Sequence, residues 1–346
     1  MSLADKFDGT DASCLHVSTC LVELIHMAKP VTDAWILSER RELSRKVCRA
    51  DEAKRKRGAR RGQQMRGNRM GRIILCETTP AKTSYIFPNT KIEVFSYEEL
   101  CYYVYNNIAL ISEEYIGVAM FNWIEEELKL PELAEQLRVI KEKETTDLTD
   151  LLTMILTYKE YYTIPEVKEF IFRMERMKGL TPPQFRKMQA DGFLRYHKYL
   201  KAAAIYDEIL DQYPDMQNEK LLGAIYHNKA VAMAHNFELK AAMDAYLKAY
   251  ELTRDSRSIY GYLLLMAAMR ERTDVEVFAK FYGVEDMLDK IYNAIEDAEA
   301  DVTGSPVYHR MQKAMFHYEK NNLTDFNKRM DTVIEYLKSE FREQTV

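Results

Sequence analysis

Residues 186–214 read RKMQADGFLRYHKYLKAAAIYDEILDQYP, and residues 226–252 read YHNKAVAMAHNFELKAAMDAYLKAYEL. With a constant shift of 40, Ala190 falls on Ala230, Phe193 on Met233, Tyr199 on Leu239, Ala202 on Ala242, Tyr206 on Tyr246 and Ile209 on Ala249. Small residues meet small ones and bulky residues meet bulky ones at five of these positions, and both members of the sixth pair, Ile209 and Ala249, are apolar. A sequence that repeats itself at such a period encodes one supersecondary unit used twice. Here each unit reads as two helices, because the apolar positions recur every three or four residues. An alanine in each helix lets the two approach closely, and the large residues fill the groove to the next pair.

Helical signals continue on both sides. Ser96-x-x-Glu99 is a capping box, and Leu100, Tyr103, Val104 and Ile108 follow at helical spacing. Ser112 is read as the cap of a second helix carrying Ile116, Met120, Trp123, Ile124 and Leu128. Pro131 suits a first helical turn. Helices are predicted over 146–162 and 165–180, and Thr181-Pro182-Pro183-Gln184 starts another with a cap, a first-turn proline and a completed box. Thr273-x-x-Glu276 caps a later helix, 301–306 makes a break, and Phe326, Met330, Val333, Leu337 and Phe341 stripe the last. Ahead of Ser96 the pattern differs. Ile73-Ile74-Leu75 and Ile92-Glu93-Val94-Phe95 are short β-like runs around Pro80, Pro88 and Asn89, fit for a small ribbon or for extended chain on the first helices. Only 12 Gly and 9 Pro interrupt 346 residues, which agrees with helices joined by short turns.

The two hairpins resemble the tetratricopeptide repeat. Ala190 and Ala230 stand at that family's small helix-A position, Ala202 and Ala242 at its helix-B alanine, Tyr206 and Tyr246 at its helix-B aromatic, and Pro214 at its closing proline. The family's Trp and Leu-Gly are replaced, and a period of 40 exceeds its usual 34. The likeness covers about 183–270, with the hint of a third repeat near Arg257. The body from Met70 onward also resembles helical-repeat proteins of Gram-positive anaerobic bacteria, which implies no activity. The resemblance implies an all-α fold of antiparallel hairpins stacked as an α-solenoid after a short extended lead-in. The domains expected are a basic extension at 1–69, an N-terminal helical region at 70–180, the repeats at 181–270 and C-terminal helices at 271–346.

In that family helix A lines a concave surface that takes a helix or an extended segment of a partner. The resemblance therefore nominates Lys187, Asp191, Leu194 and Arg195 from the first repeat. From the second it nominates His227, Asn228, Val231 and His235, and beyond them Arg257. Lys187 and Asn228 match two positions of the family's carboxylate clamp, whereas Asp191 replaces an expected Asn and would repel a carboxylate.

The chain's net charge of −5 conceals an asymmetry, since 40–72 holds 14 Lys and Arg against 3 Asp and Glu. The stretch 54–72, KRKRGARRGQQMRGNRMGR, has no aromatic residue to stack on bases, and reads as a solvated arm. Bound to phosphate backbones, it would instead make the chain a nucleic-acid-linked regulator with the repeats as sensor. A further reading places the native start at Met70. Purine-rich codons for Arg66-Gly67-Asn68-Arg69 would form a ribosome-binding sequence, and 1–69 would then be an upstream extension.

Five cysteines (Cys14, Cys20, Cys48, Cys76 and Cys101) form no C-x-x-C pair and are read as reduced thiols of a cytoplasmic protein. The sequence has no run of 18 apolar residues, so no membrane is expected as a partner. It also lacks the phosphate-loop, dinucleotide and nucleophile-elbow glycine patterns, and its seven histidines include no H-E-x-x-H. Neither a cofactor nor a metal is expected. Glu125, Glu126 and Glu127 read as a solvated helix end, and Glu142, Glu144 and Asp147 as the borders of a linker. The sequence thus predicts a non-catalytic scaffold whose partner is a protein or peptide.

Overall fold

The computed structural model describes residues 78–143, 147–269 and 272–345. The basic run at 54–72, the start proposed at Met70, the Ile73–Leu75 run, four of the five cysteines and residue 271 lie outside them. Among the described residues there are fourteen α-helices and a ribbon of two-residue strands, so the fold is all-α, with helices stacked on their neighbours. The chain forms two compact units, whose described parts are 78–196 and 197–345.

In the first unit, β1 (Tyr85–Ile86) pairs antiparallel with β2 (Glu93–Val94), Tyr85 opposite Val94 and Ile86 opposite Glu93. The Ile92–Phe95 run thus finds its partner just before the Pro88-Asn89 turn. Helix α1 (Tyr97–Asn106) starts at Ser96, whose side chain accepts from the Glu99 amide at 3.1 Å, while Glu99 accepts from the Phe95 amide at 2.6 Å. Ser112 does not cap the next helix. It precedes a 3₁₀ turn, Glu113–Tyr115, and α2 (Val118–Glu126) begins only after Gly117. The extra turn carries Ile116 into the core, where it is fully buried. Next come α3 (Pro131–Lys141), α4 (Leu148–Thr157), α5 (Ile164–Lys178) and α6 (Pro182–Arg195). Helix α4 starts on an Asp147–Asp150 box and ends five residues short of the predicted Tyr162. The Thr181–Gln184 box is present, the Thr181 amide donating to Gln184 Oε1 at 2.9 Å.

Burial is the main stabilising contribution here, and the buried aromatic residues Tyr97 and Trp123 find acceptors for their polar tips. Phe87 stacks on Tyr103 with ring centres 3.7 Å apart. The hydroxyl of Tyr97 donates to the Ile155 carbonyl at 2.6 Å, and Trp123 Nε1 donates to the Thr83 carbonyl at 2.7 Å. Those two bonds tie α1 to α4 and the lead-in to α2. Burial pushes the Cys101 thiol and the Tyr97 phenol far above their ordinary values, so neither is a nucleophile near neutrality.

The second unit runs α7 (Tyr199–Gln212), α8 (Glu219–His235), α9 (Leu239–Thr253), α10 (Ser256–Met269), α11 (Arg272–Tyr282), α12 (Leu288–Gly304), α13 (Pro306–Glu319) and α14 (Leu323–Thr345). From α7 to α11 each helix packs on its successor, α10 also meets α12, and α12, α13 and α14 again pack in order. Helix α14 returns to touch α7.

At four of its six aligned pairs the repeat read in the sequence is also a repeat of burial, whereas Phe193 and Tyr199 are buried and Met233 and Leu239 are half-buried. Ala190, Ala230, Ala202, Ala242 and Ala249 are buried, as are Tyr206, Tyr246 and Ile209. It is a repeat of backbone as well. His197 has φ 58° and Phe237 φ 64°, again 40 residues apart, and Lys198 and Glu238 after them share φ near −84°. Two left-handed, non-glycine residues at the same point of two turns show that the packing on either side fixes the turn.

Close approach is enforced where side chains are missing. A Cβ built on Gly261 would lie 2.7 Å from the Tyr246 ring, and one on Gly192 would lie 2.9 Å from Leu110. We therefore expect Ala242→Leu and Gly261→Ala each to lower unfolding free energy by roughly 1–3 kcal/mol, measured by urea melts. Unchanged midpoints for both would show that α9 and α10 do not cross as tightly as described.

Candidate functional site

The residues that the repeat nominates fall in both units. Lys187, Asp191, Leu194 and Arg195 belong to 78–196; His227, Asn228, Val231, His235 and Arg257 belong to 197–345.

On α6, Lys187 Nζ donates to Asp191 Oδ2 at 2.6 Å, with the Lys side chain only 15% exposed. One helical turn separates the two, the spacing at which such pairs meet. An incoming carboxylate would have to displace Asp191 to reach this ammonium, so the clamp-like Lys187 is already occupied. Leu194 and Arg195 are half-buried near the end of the helix, and Arg195 lines a cavity with Arg173 and Arg176.

Helix α8 has no distinct apolar face. Its buried positions are small residues, Gly223, Ala230, Ala232 and Ala234, together with Ile225. His227, Asn228, Val231 and His235 occupy one stripe and are all half-buried. His227 Nδ1 lies 2.9 Å from Ser258 Oγ on α10, and its ring meets Tyr246 edge-on at 5.5 Å. The His235 ring lies parallel to Tyr199 at 4.1 Å, and His197 lies nearly parallel to Tyr199 at 5.6 Å. The two histidines of the stripe thus link α8 to α10 at one end and to α7 at the other. Burial pushes the Tyr199 phenol well above its ordinary value and keeps it neutral between the imidazoles. Lys229, next on the helix, forms an ion pair with Asp207 of α7.

Arg257 folds back on Asp255 through Nε at 3.0 Å and Nη2 at 2.7 Å, and Asp255 also accepts from the Arg257 amide. That forked contact holds the Asp255 carboxyl below the usual carboxylate range. Sequence reasoning placed these side chains correctly on their helices. It missed their partners Ser258, Tyr199 and Asp255, because partner choice depends on how neighbouring helices meet.

Among the described residues no group of three His, Cys, Asp or Glu side chains is placed to hold a metal ion. No helix there is long and apolar enough to cross a membrane. The half-buried histidines of α8 are thus hydrogen-bonded to, or stacked on, residues of the neighbouring helices.

The Asp255–Arg257 link has a definite pH dependence. Because the folded carboxyl titrates below its unfolded value of about 3.9, the link contributes above that pH and is lost as pH falls through the folded value. Arg257 is 78% exposed, so its worth is at most about 1 kcal/mol. Carboxyl-carbon NMR should give Asp255 a midpoint below that of an unperturbed Asp, and Arg257→Ala should move it upward. No family model, curated protein or solved structure matches this chain.

Proposed function

We propose that this chain is a non-catalytic protein-interaction scaffold of the cytoplasm whose helix-A surfaces receive a segment of a partner protein. The observation that carries the reading is the α8 stripe. His227, Asn228, Val231 and His235 keep partial exposure, while Ala230, Ala232 and Ala234 of the same helix are buried. A helix locked by small residues presents mixed polar and apolar groups at fixed positions and loses little freedom when a partner binds. On α6, Lys187, Asp191, Leu194 and Arg195 are the corresponding positions. The internal pairs of Lys187 and Arg257 tune the surface, because a partner's acidic group competes with Asp191 or Asp255 for the same cations. Neutral buried phenols and a buried thiol support a role without catalysis.

The test begins with covalent capture of the partner by the full chain in cells, followed by affinity measurement with the purified pair. Asn228→Ala combined with Arg257→Ala should weaken binding at least fivefold and change stability by no more than about 1 kcal/mol. On α11, Val277 and Phe281 are 72% and 79% exposed one turn apart, and they form the competing surface. A partner indifferent to the α8 and α10 changes but lost with Val277→Asp and Phe281→Asp would move binding to α11 and overturn the assignment.

A further inference from the structure

The 78–196 unit contains a cavity of about 330 Å³ between α5, Leu180 of the link that follows it, α6 and the segment 106–110. Its size falls at the small end of the range for small-molecule sites. The sequence made only Arg195 visible as a candidate. The cavity adds Arg173 and Arg176 from α5, and it has no acidic lining residue.

The charges in the cavity are uncompensated. Among the described residues none of the three guanidinium groups is in an ion pair, whereas nearby acids are engaged elsewhere: Glu175 accepts from Lys178 at 2.8 Å and Asp191 from Lys187 at 2.6 Å. The lysines of α5 and α6 thus take the carboxylates and leave the arginines. Arg173 is held in place, its Nη2 donating to the Tyr105 carbonyl at 2.8 Å and its guanidinium lying 4.3 Å from the Tyr105 ring centre. Its Nε is buried with no acceptor. A planar cation fixed by an aromatic face and short of acceptors suits an oxyanion, which guanidinium groups bind through paired N–H donors.

Apart from Asn106 and Asn107, whose side-chain amides donate to the Tyr102 and Tyr103 carbonyls, the remaining wall is apolar. Leu110, Met177 and Met188 line the cavity, and the missing side chain at Gly192 is what lets Leu110 lie against α6. Unbranched methionines adapt to ligands of irregular shape. An inorganic ion alone would leave this surface uncovered, and a neutral apolar molecule would leave the arginines unpaired.

We propose that this cavity binds a small amphiphilic acid, with a carboxylate or phosphate group on Arg173, Arg176 and Arg195 and an apolar body against Leu110, Met177 and Met188. No bond is made or broken, and no protein partner is required. A ligand here would brace α5, α6 and the 108–110 turn together, and so stabilise the unit that carries Lys187 and Asp191.

The full chain, labelled at its methionine methyl groups with carbon-13, is titrated with octanoate and with octyl phosphate; Met177→Leu and Met188→Leu assign the two signals. We expect one or both acids to shift Met177 and Met188 in a saturable manner. Binding by one acid alone supports the site and identifies its headgroup. Octanol and inorganic phosphate should bind at least tenfold more weakly. Arg176→Gln with Arg195→Gln should weaken the acids at least tenfold at unchanged melting temperature. Arg176 is exposed and Arg195 half-buried, and neither makes an ion pair among the described residues, so this variant is expected to fold. Octanol binding as tightly as octanoate, full affinity in the double arginine variant, or no response of either methionine to either acid would overturn the proposal. Neither Asn228 nor Arg257 lines this cavity, so the protein-binding reading and this one fail separately.

Discussion

The whole arrangement depends on how near two helices can come. Helix axes pack 8–10 Å apart, and the side chains at the crossing set the distance. Alanines 202 and 242 lie fully buried within α7 and α9, and Gly261 leaves room for the Tyr246 ring on α10. Larger residues there would push the helices apart and expose the aromatic side chains that fill the grooves. In the 197–345 unit, hydrophobic burial therefore comes from a few large residues held in gaps that small residues open. Helix α8 is the extreme case, since its own buried positions are almost all small and its neighbours supply the bulk.

The same closeness explains why many of the polar positions are engaged. Once helices approach, a half-buried His or Lys must be hydrogen-bonded or stacked, or else incur a desolvation cost of about 1–3 kcal/mol. His227 meets Ser258, His235 meets Tyr199, and Lys187 meets Asp191. The two histidine contacts join neighbouring helices, whereas Lys187–Asp191 lies within α6. The arginines of the 78–196 cavity are the exception, because Arg173 leans on a ring and a carbonyl and leaves its charge unneutralised.

Much of the fold could be read from local chemistry. Ser96, Thr181 and the first-turn prolines marked helix starts because capping satisfies amides within four residues of chain. The 40-residue repeat was legible because Ala190 and Ala230, or Tyr206 and Tyr246, do the same packing task twice. Ser112 misled because its hydroxyl donates to the Glu114 carboxylate instead of capping a backbone amide, and only a 3₁₀ turn follows it. The left-handed residues His197 and Phe237 gave no sign, since glycine or asparagine is the usual signal and neither stands at these two positions. The pairs at His227 and His235 and the cavity at Arg173 and Arg176 were hidden for a different reason: they are assembled from separate helices, and no spacing along the chain encodes them.

The contact between α14 and α7 has a mechanical consequence. Most contacts in the 197–345 unit join helices adjacent in the chain, so such a stack can fray from an end one helix at a time. Helix α14 bridges more than a hundred residues of sequence to reach the unit's first helix. Tension applied at the C-terminal end therefore loads this contact early, before the inner helices feel it. Once it gives way, α14 and then α13 can peel in sequence while α7–α10 stay packed. The unit is built to yield under force in steps, beginning at a latch between its last helix and its first.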